Sequence, residues 1–275
     1  MNQEHITDRA HGIDVHSGQY REDFYKQLLV PNFNALTGQV DFVIIKRSEG
    51  FWVDPRFREV WDILASPCPI KGIYHYQRSG VSWKRQADNV LENKPKDCQF
   101  IALDVEKTNN VLDKTFFADS SRILRYWKDN SDVKIVYYLN EDVGKTMLRI
   151  MQQNYPADKW YLEFRMWFAQ YAFFTRDRKP ENNPRIPVGL PGDWLIYQYD
   201  ENGDSQPLKR YGSPDLNVFN GTVKDMKTWI GLDKIEPPVP PVEPPSSTSD
   251  RPKLTHIIGY FNDTSHKILW EDKDE

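Results

Sequence analysis

Asp104 and Glu106 stand at the end of an apolar run, Phe100-Ile101-Ala102-Leu103-Asp104-Val105-Glu106. Read as a buried strand, this run points both carboxylates to one face, because side chains alternate along a strand. Their Cα atoms then lie about 6.5 Å apart, and the carboxyl groups can swing into the range at which a proton donor and its partner cleave a glycosidic bond. Two acids at the end of a hydrophobic strand are expensive to place without a counter-ion. The plain alternative is a strand end that dips into water with both acids solvated or salt-bridged.

Other polar groups fall at similar places. Asp14 closes Gly12-Ile13-Asp14-Val15, Glu49 follows Phe42-Val43-Ile44-Ile45-Lys46, and Asp215 adjoins Leu216-Asn217-Val218-Phe219. Tyr74 and His75 end a third run, Tyr138 a fifth and Gln198 with Tyr199 a seventh, while Trp167 lies in the sixth. Singly, each has an ordinary structural explanation: a strand-end His is more often hydrogen-bonded than catalytic, and Asp215 after Pro214 can cap a turn. Gathered on one rim, acids interleaved with Tyr and Trp supply a proton donor, a stabiliser of positive charge and flat surfaces for sugar rings. Like charge from Asp14, Asp104 and Asp215 would raise the Glu106 pKa, with desolvation in a walled cleft adding to it.

Elements that could build such a rim are legible. Apolar runs alternate with amphipathic stretches, the pattern of a parallel α/β fold. Phe57, Val60, Trp61 and Leu64 share one helical face; so do Trp83, Ala87, Val90 and Leu91, and so do Val143, Met147, Ile150 and Met151. A last helix is expected over 223–230. About eight strands emerge, the number that closes a TIM-type barrel, in which chemistry sits at the C-terminal ends of the strands. Helical signals fade after residue 160, and 175–192 reads as a polar, Pro-rich loop, so the second half of the barrel should be irregular. The Pro-rich stretch 236–245 and Ser246-Ser247-Thr248-Ser249 read as a stiff linker, spanning about 30 Å at roughly 3.1 Å per residue. The expected divisions are an N-terminal extension (1–10), a barrel (11–232), a linker (233–250) and a tail (251–275) with a hairpin around Asn262-Asp263-Thr264-Ser265. Such a tail should dock on its own barrel, a second copy or a surface.

The 275 residues carry a net charge of −4, which argues against nucleic acid as a general partner. No apolar run has the length of a membrane span, and no charged-then-apolar leader opens at Met1. Cys68 and Cys98 could bridge or remain two buried thiols. No zinc spacing, glycine-rich phosphate loop or nucleophile elbow is present, so no metal or cofactor is expected.

Six segments in order carry a resemblance to a known family over about residues 11–231: His11 to Gln19, Phe42 to Gly50, Gly72 to Tyr76, Leu103 to Glu106, Trp167 to Tyr171 and Asp215 to Gly221. The chain resembles the family-25 glycoside hydrolases, the muramidases or lysozymes of bacterial, phage and fungal origin. That resemblance implies a barrel of five β/α units followed by three strands. It also implies cleavage of the β-1,4 bond between N-acetylmuramic acid and N-acetylglucosamine in bacterial peptidoglycan. Glu106 would be the general acid, Asp104 its partner in orienting the substrate's 2-acetamido group, and Asp14 and Asp215 the supporting acids. Tyr74, His75, Tyr138, Trp167, Gln198 and Tyr199 are the expected sugar-binding set. Tyr20 after Gln19, Tyr197 before Gln198 and the long 175–192 loop depart from the family pattern and bear on substrate fit. An endolysin-like protein acting on the cell wall is expected, released by host lysis, phage-borne, or secreted with a signal not seen here. A wall-binding or virion structural protein on the same barrel, and a chitinase-like hydrolase, are the alternatives.

Overall fold

The computed structural model describes residues 8–17, 40–65, 68–108, 110–171, 183–201 and 214–233, and two short strands at 261–262 and 265–266. It divides into two compact units, Met1–Lys234 and Ile235–Glu275.

In the first unit, β1 (His11–Val15), β2 (Phe42–Glu49), β3 (Trp52–Val53), β4 (Ile70–Tyr76), β5 (Phe100–Asp104), β6 (Lys134–Asn140), β7 (Arg165–Ala169), β8 (Trp194–Asp200) and β9 (Asp215–Phe219) form one sheet. Its order is β1-β9-β8-β7-β6-β5-β4-β2-β3, and β1 also pairs with β2, so every strand except β3 joins a closed barrel. Closure removes all free edges from those strands. β9 runs antiparallel to both of its neighbours, β1 and β8, while the other barrel pairings are parallel. The expected eight-strand barrel is therefore present, and β3 adds a short hairpin to β2.

Four helices follow the strands: α1 (Phe57–Val60, continuing as a π-helical turn over Trp61–Ala65), α2 (Trp83–Asn93), α3 (Lys114–Asp129) and α4 (Glu141–Asn154). The caps explain their starts: Asp113 accepts from Phe116 N at 2.8 Å and Asn140 from Val143 N at 3.0 Å. α3 lies outside the expected helices. Its inward face carries Phe116, Phe117, Ile123, Leu124 and Trp127 but also buried Ser120 and Ser121, which dilute the apolar stripe. Ser120 is buried because its hydroxyl donates to Gln77 Oε1 at 2.7 Å. After β7 no helix occurs among the described residues until α5 (Val223–Ile230), which has a Thr222/Asp225 capping box and ends at Gly231 with φ 82.

Two apolar cores result. One lies between barrel and helices; the other fills the barrel with Phe42, Ile44, Ile70, Phe100, Ala102, Val136, Ile196 and Phe219. α5 plugs the floor: the Trp229 ring lies 5.5 Å from that of Phe100 and 6.1 Å from that of Phe219. Two strand partners make room for the large rings. Gly12 pairs with Phe42 and Gly72 with Phe100, and a Cβ on either glycine would sit 2.3 Å from its partner's ring. Cys68 and Cys98 are free and buried, each pointing its thiol at a strand carbonyl (Ile70 O at 3.2 Å, Phe100 O at 3.1 Å).

In the second unit, β10 (Phe261–Asn262) pairs antiparallel with β11 (Ser265–His266), at the position expected for a hairpin. The linker lies outside the described residues.

The paired glycines generate a direct test. Gly72→Ala should destabilise the barrel by about 1–3 kcal/mol, the usual penalty for overpacking a filled core. Chemical denaturation of the purified variant measures this, and Gly80→Ala, whose Cβ would meet nothing within 4 Å but whose φ is 76, provides the strain-only comparison.

Candidate active site

Strand register, more than sequence distance, assembles the site. Tyr76 pairs with Asp104, Asp104 with Tyr138 and Tyr138 with Trp167, so four side chains stand in one ring at the C-terminal rim. Asp14 pairs with Asp215 across the closing strands. Because β9 is antiparallel, Asp215 reaches this rim from the start of its strand rather than from its end. The resulting cleft has a volume of ≈ 720 Å³, and Asp14, Asp104, Glu106 and Asp215 all line it.

Tyr74, Tyr138, Trp167 and Gln198 line the cleft as expected. His75 and Tyr199 do not, and the reason is the two-residue period of a strand. Each follows a cleft-facing residue and so points outward, between barrel and helices. His75 is fully buried, bonded to Ser48 Oγ at 2.8 Å and Gln86 Oε1 at 3.3 Å, with its ring edge-on to Trp127. Burial pushes its pKa down to about 4, which keeps the ring neutral. Tyr199 packs in the outer core beside Tyr197.

The same period identifies cleft residues beyond the expected set: Lys46, Tyr76, Tyr171 and, behind the acids, Asn217. Tyr76 lies two positions from Tyr74, and Asn217 two from Asp215, so alternation alone could have found both.

A continuous hydrogen-bond network holds the floor of the cleft. Trp167 Nε1 donates to Asn217 Oδ1 at 2.8 Å, which orients the Asn217 amide so that its Nδ2 donates to Asp14 Oδ2 at 2.7 Å. Gln198 Nε2 also donates to Asp14 Oδ2, at 2.6 Å, and to Asp215 Oδ2 at 3.3 Å. With its NH₂ committed to the acids, Gln198 turns its Oε1 toward the hydroxyls of Tyr138, at 2.9 Å, and Tyr171.

The acids differ in how they are satisfied. Asp14 is buried but receives two amide donors; burial is the largest influence and lifts its pKa to about 6 against those bonds. Asp104 is also buried, yet its Oδ1 has no hydrogen-bond partner among the described residues. Burial, then the Glu106 charge, hold its carboxyl well above the ordinary value. Glu106 is half-buried, and its pKa is raised chiefly by desolvation, with a Tyr138 hydrogen bond and the Lys46 charge opposing. Desolvation thus leads, where like-charge repulsion was expected to. The repulsion is expressed mainly on Asp104, the more deeply buried partner. Burial thus raises both carboxyls, and the Glu106 charge raises Asp104 further.

Comparison with known proteins places this geometry in context. A family model described as glycosyl hydrolases family 25 matches residues 13–207. The uncharacterized protein YegX of Escherichia coli K12 is 28% identical over 223 residues, covering 80% of this chain and 73% of YegX. A family 25 glycosyl hydrolase structure from Bacillus anthracis superposes with a TM-score of 0.60 at 20% identity, over 82% of this chain and 95% of that one. A bacterial lysozyme structure from Streptomyces coelicolor does so with a TM-score of 0.60 at 21% identity, over 82% and 99%. At these identities the superpositions speak for the fold.

The raised Asp14 pKa predicts how stability depends on pH. The folded value of about 6 lies above the unfolded one, so stability is lost as pH rises from near 4 through 6. Asp14→Asn keeps an oxygen to accept from Gln198 and Asn217 but has nothing to ionise. Its stability relative to wild type should therefore be greater at about pH 8 than at about pH 4, by up to about 3 kcal/mol. Urea titrations at the two pH values measure this; an equal difference at both would contradict the assignment.

Proposed function

The chain belongs to family 25 of the glycosyl hydrolases, and from that premise we propose that it is a muramidase acting on bacterial peptidoglycan. It cuts the β-1,4 bond between N-acetylmuramic acid and N-acetylglucosamine, with Glu106 as general acid and Asp104 as its partner. The observation that carries this reading is the pair itself: a buried Asp104 with an oxygen lacking a donor among the described residues, beside a half-buried Glu106, in one open cleft. The Streptomyces coelicolor protein of the same fold is described as a lysozyme, which agrees with it.

In this reading the glycosidic oxygen takes the proton from Glu106 and departs with the bonding electron pair. Positive charge then develops on the sugar ring left behind. Asp104, ionised while the proton resides on Glu106, accepts from the N–H of the 2-acetamido group and stabilises that charge in a site where water screens little. The ionised Glu106 afterwards takes a proton from the water that completes hydrolysis. Tyr138 follows these changes. Its hydroxyl has one proton, so donating to Gln198 and donating to Glu106 are alternatives. It faces Gln198 while Glu106 is protonated and can turn to Glu106 when the carboxylate forms. Tyr74, Tyr76, Trp167 and Tyr171 supply the walls against which sugar rings lie.

Glu106→Gln preserves shape and removes the transferable proton, so turnover should fall by about 10²–10⁴-fold or more. Tyr138→Phe should lower turnover by a smaller factor with little change in melting temperature. Mass-spectrometric analysis of digested cell walls identifies the reaction itself. Fragments with N-acetylmuramic acid at the new reducing end are expected. Release of chitin oligomers without wall fragments would instead favour the chitinase-like reading, and no fragments at all a binding protein. Near-normal activity in Glu106→Gln would remove the residue from its assigned role.

A further inference from the structure

Large apolar side chains exposed together on a folded surface call for an explanation. Phe51, Trp52 and Val53 are consecutive and 37%, 56% and 46% exposed. They form the tip and return strand of the β2–β3 hairpin, whose turn has Gly50 at φ 56. Nothing in the catalytic chemistry uses them.

Strand register shows where Trp52 faces. It pairs directly with Glu49 in an antiparallel ladder, and directly opposed residues project from the same face. Glu49 is turned toward the cleft: it bonds Lys46 Nζ at 2.7 Å and pairs with Arg78. Lys46 and Tyr76 line the cleft, and the cations of Lys46 and Arg78 lie 5.1 and 5.6 Å from the Tyr76 ring centroid. Tyr76, the Lys46–Glu49–Arg78 cluster and Trp52 therefore continue one wall from beside Asp104 outward over the rim. The Trp52 ring is also held in place. It stacks on Phe51 with centroids 4.0 Å apart and 32° between planes, and the Arg85 guanidinium lies 4.3 Å from the Phe51 centroid.

We propose that the Phe51–Trp52 hairpin is an outer sugar subsite, in which Trp52 stacks against a further ring of the glycan strand beyond those at the cleaved bond. A flat, supported indole flanked by charged donors and acceptors suits an N-acetylhexosamine: the ring takes the C–H face, and Glu49, Arg78 and Arg85 are placed to meet hydroxyl and amide groups. The continuity of this wall with the cleft selects a glycan strand over other occupants. The inference rests on the peptidoglycan reading above and extends it to chain length: the protein should prefer strands long enough to reach the hairpin.

Titration calorimetry on the full chain carrying Glu106→Gln, which binds without turnover, tests this with linear strands of alternating N-acetylmuramic acid and N-acetylglucosamine of increasing length. Affinity should rise with length and then level off. Adding Trp52→Ala should weaken binding of the long strands by about tenfold, the equivalent of burying about 50 Å² of ring face, while the shortest strands lose less. Trp52→Tyr should restore most of the loss. The same length dependence with and without Trp52 overturns the proposal. So does a dimer that Trp52→Ala converts to monomer in sedimentation, which would assign the patch to a second copy. Failure of the muramidase reading is seen separately, as wild-type protein that binds strands without cutting them.

Discussion

A carboxyl group buried at the end of a barrel strand, with one oxygen that no donor among the described residues reaches, is the constraint on which this structure turns. Asp104 is carried there by β5, whose other residues are all apolar and buried. Such a group is unfavourable in the folded state, and the surrounding barrel has to outweigh it. It does so through closure of the strand ring, through Phe42 and Phe100 nested against Gly12 and Gly72, and through the Trp229 plug beneath them.

Around it, acids of the same chemical type are given different roles by their surroundings. Asp14 is fixed by Asn217 and Gln198, which in turn are fixed by Trp167 and the two tyrosines, so its charge is accommodated. Asp104 lacks that support at Oδ1 among the described residues, and its pKa is raised further by the charge of Glu106. Lys46, held by Glu49, favours ionisation of both and limits how far their pKa values climb. Burial and hydrogen bonding thus set these acids apart even where their residue type is the same.

Much of this was legible from local pattern. The Asp104–Glu106 spacing, the alternation of strands with helices and the acids at strand ends all follow from periods that a single segment displays. What was not legible depends on neighbours. His75 and Tyr199 sit one residue from true cleft residues, and only the pleat decides which of two adjacent side chains turns inward. Helix α3 hides its stripe because Ser120 and Ser121 are buried through bonds to partners distant in sequence, such as Gln77 and Asp158. The meeting of Asp14 with Asp215 needs an antiparallel closing strand, and no property of residues 215–219 alone specifies its direction. Trp52 acquires a face only through its pairing with Glu49, a partner that its own segment does not specify.

The central claim, that the barrel holds a shared proton on the Asp104–Glu106 pair, is tested most directly by following side-chain carboxyl ¹³C shifts of the wild-type protein through a pH titration, with Asp104→Asn and Glu106→Gln used to assign the two signals. At least one of the two carboxyls should titrate well above the ordinary value of about 4, and its midpoint should move when the other is neutralised. Two independent midpoints near 4 in the folded protein would contradict the claim.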